Sequence, residues 1–178
     1  MGTRSGDSKG QGAPRVPVSD PQPVRVLLVC MGNICRSPTA EGVLRALAQR
    51  EYPGLAIEVD SAGTHGYHIG AAPDQRARDA ARRRGFDLDG LRARELVPED
   101  FRRFDYVLVM DGTNLTDAAR IAPRDSRATF RRLLDFAPET DVSDVPDPYY
   151  GGEADFERVL DLAEAGARGL LNALRKRS

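Results

Sequence analysis

Val24-Arg25-Val26-Leu27-Leu28-Val29-Cys30-Met31-Gly32-Asn33-Ile34-Cys35-Arg36-Ser37-Pro38-Thr39-Ala40-Glu41 passes from an aliphatic run, through a C-x5-R-S loop, into a helical pattern. The first six residues have the composition of a strand buried on both faces of a parallel sheet. After the loop, Ser37 is an N-cap candidate and Pro38 suits the first helical position. Apolar side chains then recur at Ala40, Val43, Leu44, Leu47 and Ala48. A loop between strand and helix aims backbone N–H groups at one point, and the helix dipole adds about half a positive charge there. Such a loop favours an oxyanion.

The side chains fit that field. Gly32 lets the backbone curl, and Arg36 offers a planar fork for two phosphate oxygens, which a lysine would match only as a point charge. The same field favours the thiolate of Cys30 and makes it a nucleophile. Ser37 is placed to hydrogen-bond the sulfur and help it leave. Alone, a C-x5-R spacing arises by chance and Cys30 reads as an ordinary buried cysteine. Strand, turn, Ser37, Pro38 and helix together make that reading poor.

A second stretch has its own chemical logic. Expelling a phenolate whose conjugate acid has a pKa of roughly 10 is slow unless an acid protonates the bridging oxygen. Asp147, in the Pro138 to Gly152 segment, is the candidate acid. It precedes Pro148, which biases it toward extended backbone in a surface loop. Read without Cys30 upstream, Asp147 would be an Asx-type turn opener.

With these residues in place, Val29 to Glu41 closely resembles the signature of the low-molecular-weight protein tyrosine phosphatases. Val59-Asp60-Ser61-Ala62-Gly63-Thr64, Phe104 to Asp111 and Asp147-Pro148-Tyr149-Tyr150-Gly151 resemble further family segments, in family order, so the likeness spans roughly residues 24 to 175. It implies a three-layer α/β/α fold on a four-stranded parallel sheet and a phosphotyrosine hydrolase with a cysteinyl-phosphate intermediate. Cys30 is then the nucleophile, Arg36 the phosphate clamp and Asp147 the general acid. Met31, Gly32, Asn33, Ile34, Cys35, Ser37 and Ser61 shape the phosphate loop, and Tyr67, Tyr149 and Tyr150 line the substrate cleft. Tyr149 and Tyr150 are otherwise surface tyrosines of a polar loop. Asn33 beside Gly32 has a local reason as well, since Asn tolerates left-handed backbone.

One departure stands out. Where the family carries a histidine in the loop-fixing network, this sequence has Leu91. A less rigidly held loop is expected, with reduced turnover or stability.

The cysteine count separates related activities. Thioredoxin-coupled arsenate reductases resemble this pattern but relay a disulfide through further cysteines, and Cys30 and Cys35 are the only two here. A reversible Cys30–Cys35 disulfide that shields the nucleophile is implied by the resemblance. Otherwise Cys35 is a packed free thiol. Protein-arginine phosphatases carry threonine where Ile34 stands, so Ile34 favours phosphotyrosine, although an apolar residue packed behind the loop would not discriminate. A catalytically weak phosphotyrosine-binding module is the remaining alternative; retention of both nucleophile and acid argues against it.

Composition sets the outer limits. The chain has 178 residues and a net charge of −1, which implies no strong attraction to nucleic acid or to an anionic membrane. Without a long apolar run or a signal-peptide pattern, a soluble cytoplasmic protein is expected, meeting tyrosine-phosphorylated proteins as a monomer. His65 and His68 lack Cys or Glu at ligand spacing, so neither metal nor cofactor is expected. They read as loop histidines near the cleft rim. Residues 1–23, rich in Pro and Gly, read as a disordered leader before a phosphatase domain over 24–178.

Periodicity predicts strands over 24–30, 55–60, 105–110 and 130–134. It predicts helices over 38–50, 73–84, 98–103, 112–121 and 153–175. Alternation of this kind implies right-handed crossovers, with a ligand beyond the strand C-termini, where Cys30 falls. Arginine runs such as Arg82-Arg83-Arg84 read as solvated faces.

Overall fold

The computed structural model describes residues 22–177. The expected leader, except Gln22 and Pro23, lies outside them. Four strands, β1 (Val24–Cys30), β2 (Ile57–Gly63), β3 (Tyr106–Val109) and β4 (Thr129–Arg132), form one parallel sheet in the order β2-β1-β3-β4. Five helices join them: α1 (Arg36–Glu51), α2 (Gln75–Arg83), α3 (Asp100–Arg103), α4 (Gly112–Ile121) and α5 (Glu153–Arg177).

β1 is central because its residues are apolar on both faces. Val26, Leu28 and Cys30 face a core shared with α1, α2 and α5. Leu27 and Val29 face a second core with Phe101 and Phe104 around α3, and with Ala118 of α4. Side chains alternate across a strand, so one continuous apolar run serves both layers. The stripe predicted on α5, from Phe156 to Leu174, is buried as expected, joined by Leu162 and Gly166.

Differences from the predicted elements lie at their ends. β2 starts two residues later than expected, after a turn closed by Leu55 N–H donating to the Tyr52 carbonyl, and extends to Gly63, which pairs with Cys30. β4 ends at Arg132, and Leu133–Phe136 turn into a 3-10 segment that buries Leu133 and Leu134. Asp74 caps α2, accepting from the Arg76 backbone N–H at 2.9 Å.

Two local expectations need correction. Ser37 does not cap α1. The helix begins at Arg36 with Cys35 in the capping position, and the Ser37 hydroxyl points to the Cys30 sulfur instead. Pro38 is the third helical residue, where its missing N–H is still one the first turn leaves unpaired. Nor is Arg84 a solvated residue: it bridges α2 to α5 through Glu157, Asp161 and Glu164, at 2.7, 2.8 and 2.9 Å.

Candidate active site

The C-terminal end of β1 delivers Cys30 to the floor of a cleft of about 270 Å³, where its side chain is almost wholly buried. Between β1 and α1 the chain must reverse within five residues. Asn33 makes this possible by adopting φ 58°, a left-handed conformation that Asn tolerates better than most residues. Gly63 makes room for the turn. A Cβ there would lie 2.6 Å from the Met31 carbonyl oxygen and 3.2 Å from the Asn33 nitrogen.

The sulfur is held by two groups. Asn33 N–H donates to Sγ at 3.3 Å, and Ser37 Oγ lies 3.0 Å away. Behind the loop, Asn33 Nδ2 donates to Ser37 Oγ at 2.8 Å and to Ser61 Oγ at 2.9 Å, while its Oδ1 accepts from Arg94 N–H at 3.0 Å. Ser61 in turn donates to Glu41 Oε1 at 2.6 Å. Glu41 is buried, and Arg45 Nη2 reaches its other oxygen. Burial pushes the Glu41 pKa above the ordinary glutamate value, against the Ser61 hydroxyl and Arg45, which lower it.

This network closes without a side chain from position 91. Leu91 is part-buried and packs against the main core. All of Asn33's amide positions are engaged, and the cation beside Glu41 comes from α1 itself.

Arg36 is also buried. Its Nη1 donates to Asp111 Oδ2 at 2.5 Å and to the Val145 carbonyl at 3.1 Å. Burial works against its charge, but the Cys30 sulfur and the Asp111 carboxylate outweigh it and raise the pKa. Asp111 is both the N-cap of α4, through Asn114 N–H at 2.7 Å, and the anchor of the guanidinium. Across the cleft, Asp147 Oδ2 lies 3.8 Å from Arg36 Nη2, and its Oδ1 accepts from Tyr149 N–H at 3.1 Å.

The walls are apolar and aromatic. Met31, Gly32, Ile34, Cys35, Tyr149 and Tyr150 line the cleft together with Cys30, Arg36 and Asp147. Tyr67 belongs to the same lining and is stacked on His65 with ring centroids 5.2 Å apart. His68 also lines the cleft, packed over Gly32. Cys30 and Cys35 are free thiols. Burial, together with the negative charges of Asp74, Cys30 and Asp147, pushes the Cys35 pKa up to about 12 against the lowering effect of Arg76. Among the described residues no cluster of His, Cys, Asp and Glu is placed to hold a metal ion, and no helix is long and apolar enough to cross a membrane.

The candidate catalytic, loop-shaping and cleft residues expected from the sequence therefore lie in this cleft or in the network behind it, whereas Leu91 lies outside both. Sequence reasoning missed Asp111, Glu41 and Arg45, whereas His68 lines the cleft, in keeping with its expected place near the rim. Asp111 carried a usable signal, an acidic residue at the C-terminal end of a buried strand, where ligands of parallel sheets bind.

The family model described as low molecular weight phosphotyrosine protein phosphatase matches residues 25–178. The chain belongs to this family. The low molecular weight protein-tyrosine-phosphatase YfkJ of Bacillus subtilis is 40% identical over 153 residues, covering 86% of this chain and 97% of the relative. The low molecular weight phosphotyrosine protein phosphatase of Homo sapiens is 42% identical over 148 residues, covering 82% and 92%. Among solved structures, a protein tyrosine phosphatase from Entamoeba histolytica with Hepes in its active site superposes with a TM-score of 0.82 at 37% identity, covering 86% of this chain and 98% of that one. Family membership agrees with the fold expected from the sequence, including its four-stranded parallel sheet and flanking helices.

Proposed function

We propose that this family member hydrolyses phosphotyrosine on proteins, in two steps, with residues 24–178 forming the phosphatase domain. The observation that carries the reading is the convergence of Cys30, the Arg36 fork and Asp147 on one cleft, with Asp147 Oδ2 3.8 Å from Arg36 Nη2.

In the first step Cys30 Sγ attacks phosphorus in line as the bond to the phenolic oxygen breaks. Arg36 and the loop N–H groups hold the non-bridging oxygens, and Asp147 gives its proton to the departing tyrosine. In the second step Asp147, now a carboxylate, takes a proton from water as that water attacks phosphorus. The P–S bond breaks, inorganic phosphate leaves, and the Ser37 hydroxyl steadies the returning thiolate. Met31, Gly32, Asn33, Ile34, Cys35 and Ser61 shape the loop, while Tyr67, Tyr149 and Tyr150 flank the ring.

Cleft depth supports the choice of substrate. Cys30 is 3% exposed at the floor, which favours a phosphoryl group carried on a long, flat arm over the shorter phosphoserine. The free thiols fit a reducing compartment, and we place the protein in the cytoplasm as a monomer.

Phosphate release from a phosphotyrosine peptide, with phosphoserine and phosphoarginine peptides alongside, tests this. Selective release from phosphotyrosine that vanishes in Cys30→Ser and falls steeply in Asp147→Ala is expected. Preference for phosphoarginine, or tight binding without turnover, would overturn the reading.

A further inference from the structure

Arg76, on the first turn of α2, is an exposed residue whose donors are all turned inward. Its Nε and Nη2 both donate to the Asp74 carboxylate at 3.0 Å. Nη2 also donates to the Tyr149 carbonyl at 3.0 Å, and Nη1 reaches the Gly151 carbonyl at 3.5 Å. The guanidinium lies over two rings, 4.7 Å from the Phe156 centroid and 5.7 Å from that of Tyr149.

Each end of this arrangement touches the chemistry. Asp74 N–H donates to the Ile34 carbonyl at 2.8 Å, so the start of α2 is fastened to the phosphate loop. At the other end, the residue whose carbonyl Arg76 holds is the same Tyr149 whose N–H holds Asp147 Oδ1. Among the described residues, Arg76 supplies the only hydrogen bonds between segment 146–151 and other elements.

We propose that Arg76 is a positioning residue: with Asp74 it spans from the phosphate loop to the acid loop and sets the height of the Asp147 carboxyl above the Cys30 sulfur. The inference rests on the reading of Asp147 as the proton donor. Exposed ion pairs contribute little to global stability, so the effect of Arg76 falls on proton delivery more than on folding. Lysine keeps the charge but cannot serve Asp74 and two carbonyls from one planar fork.

The test is the dependence of kcat/KM on the leaving group. Aryl phosphates whose phenols range from strongly acidic to tyrosine-like are compared for wild type, Arg76→Ala, Arg76→Lys and Asp147→Ala. General acid catalysis contributes on the order of 10²- to 10⁴-fold where the leaving group needs a proton. Arg76→Ala should lose about tenfold or more on the tyrosine-like substrate and less than about threefold on the most acidic phenol, with Arg76→Lys in between, within that overall range. A uniform loss across the series, or none, would overturn the positioning role. If Asp147→Ala itself gave a uniform loss, the assignment of the acid would fail first, and that outcome is read from Asp147→Ala alone.

Discussion

Arg45 meets Glu41 one helical turn away on α1, with Nη2 2.6 Å from Oε2, and the same nitrogen donates to the Val59 carbonyl of β2 at 2.8 Å. A buried carboxylate behind the phosphate loop is thus neutralised by a cation that also ties the helix to the sheet. Arg45→Met leaves the Glu41 charge uncompensated. Breaking a fully buried pair costs about 3–5 kcal/mol, and the Arg45 side chain is 41% exposed, so about 1–2 kcal/mol is expected here. Urea unfolding measures it. A loss below about 0.5 kcal/mol, the scale of an ordinary surface change, would show that water replaces Arg45.

Glu41 itself gives stability a pH signature. Because burial raises its pKa in the folded state, there is an interval in which the folded protein keeps a proton that the unfolded chain has released. Stability contributed by this group therefore falls as pH rises through that interval. Glu41→Gln removes the titration. The stability of wild type minus that of the variant should decline as pH climbs from about 4.5, the ordinary glutamate value, and level off once both states are ionised. A difference that grew with pH would mean that Ser61 and Arg45 outweigh burial.

Asn33 combines a left-handed backbone with a side chain that makes three hydrogen bonds. Two variants separate these parts. Asn33→Gly keeps the conformation and loses the bonds; Asn33→Ala loses both. Ala should be less stable than Gly by about 1 kcal/mol, the usual cost of a left-handed residue with a Cβ. Both should slow turnover. Equal stability of the two would show that the loop relaxes to another conformation.

The two cysteines should differ in reactivity. With the Cys35 pKa at about 12, it remains a thiol at neutral pH although it lines the same cleft as Cys30, the proposed nucleophile. Iodoacetate at pH 7 should label Cys30, inorganic phosphate should slow that labelling, and Cys35 should stay unmodified by mass spectrometry. Labelling of Cys35 at a comparable rate would contradict the assigned protonation.

Much of this was legible because single residues carry both a local and a long-range signal. Val24 to Val29 has the composition of a strand buried on two sides, and Cys30 to Ser37 follows it as a turn into a helix. Asp147-Pro148 marks its own loop. The obscured parts depend on spatial meetings that spacing does not encode. Ser37 has the identity of an N-cap, but the sulfur seven residues earlier takes its hydroxyl. Leu91 marked a gap in the expected network, and although the i,i+4 spacing of Glu41 and Arg45 encodes their meeting on a helix, nothing local announces that Ser61 brings the pair into the network behind the phosphate loop. Arg84 sits in a run of charges, and only the packing of α2 on α5 shows that it, and less deeply the neighbouring Arg83, pairs with acidic residues there.

The sheet order has a last consequence, for motion. The nucleophile ends the strand paired on both sides, and β1 should be among the slowest backbones to exchange its amide hydrogens. The acid sits in a segment outside helix and strand, fastened chiefly by one arginine, and should exchange early. Half of the chemistry is therefore built into the most durable part of the molecule and the other half into one of its most adaptable, so evolution or design can re-tune proton delivery and substrate choice at residues 146–152 without disturbing the thiol.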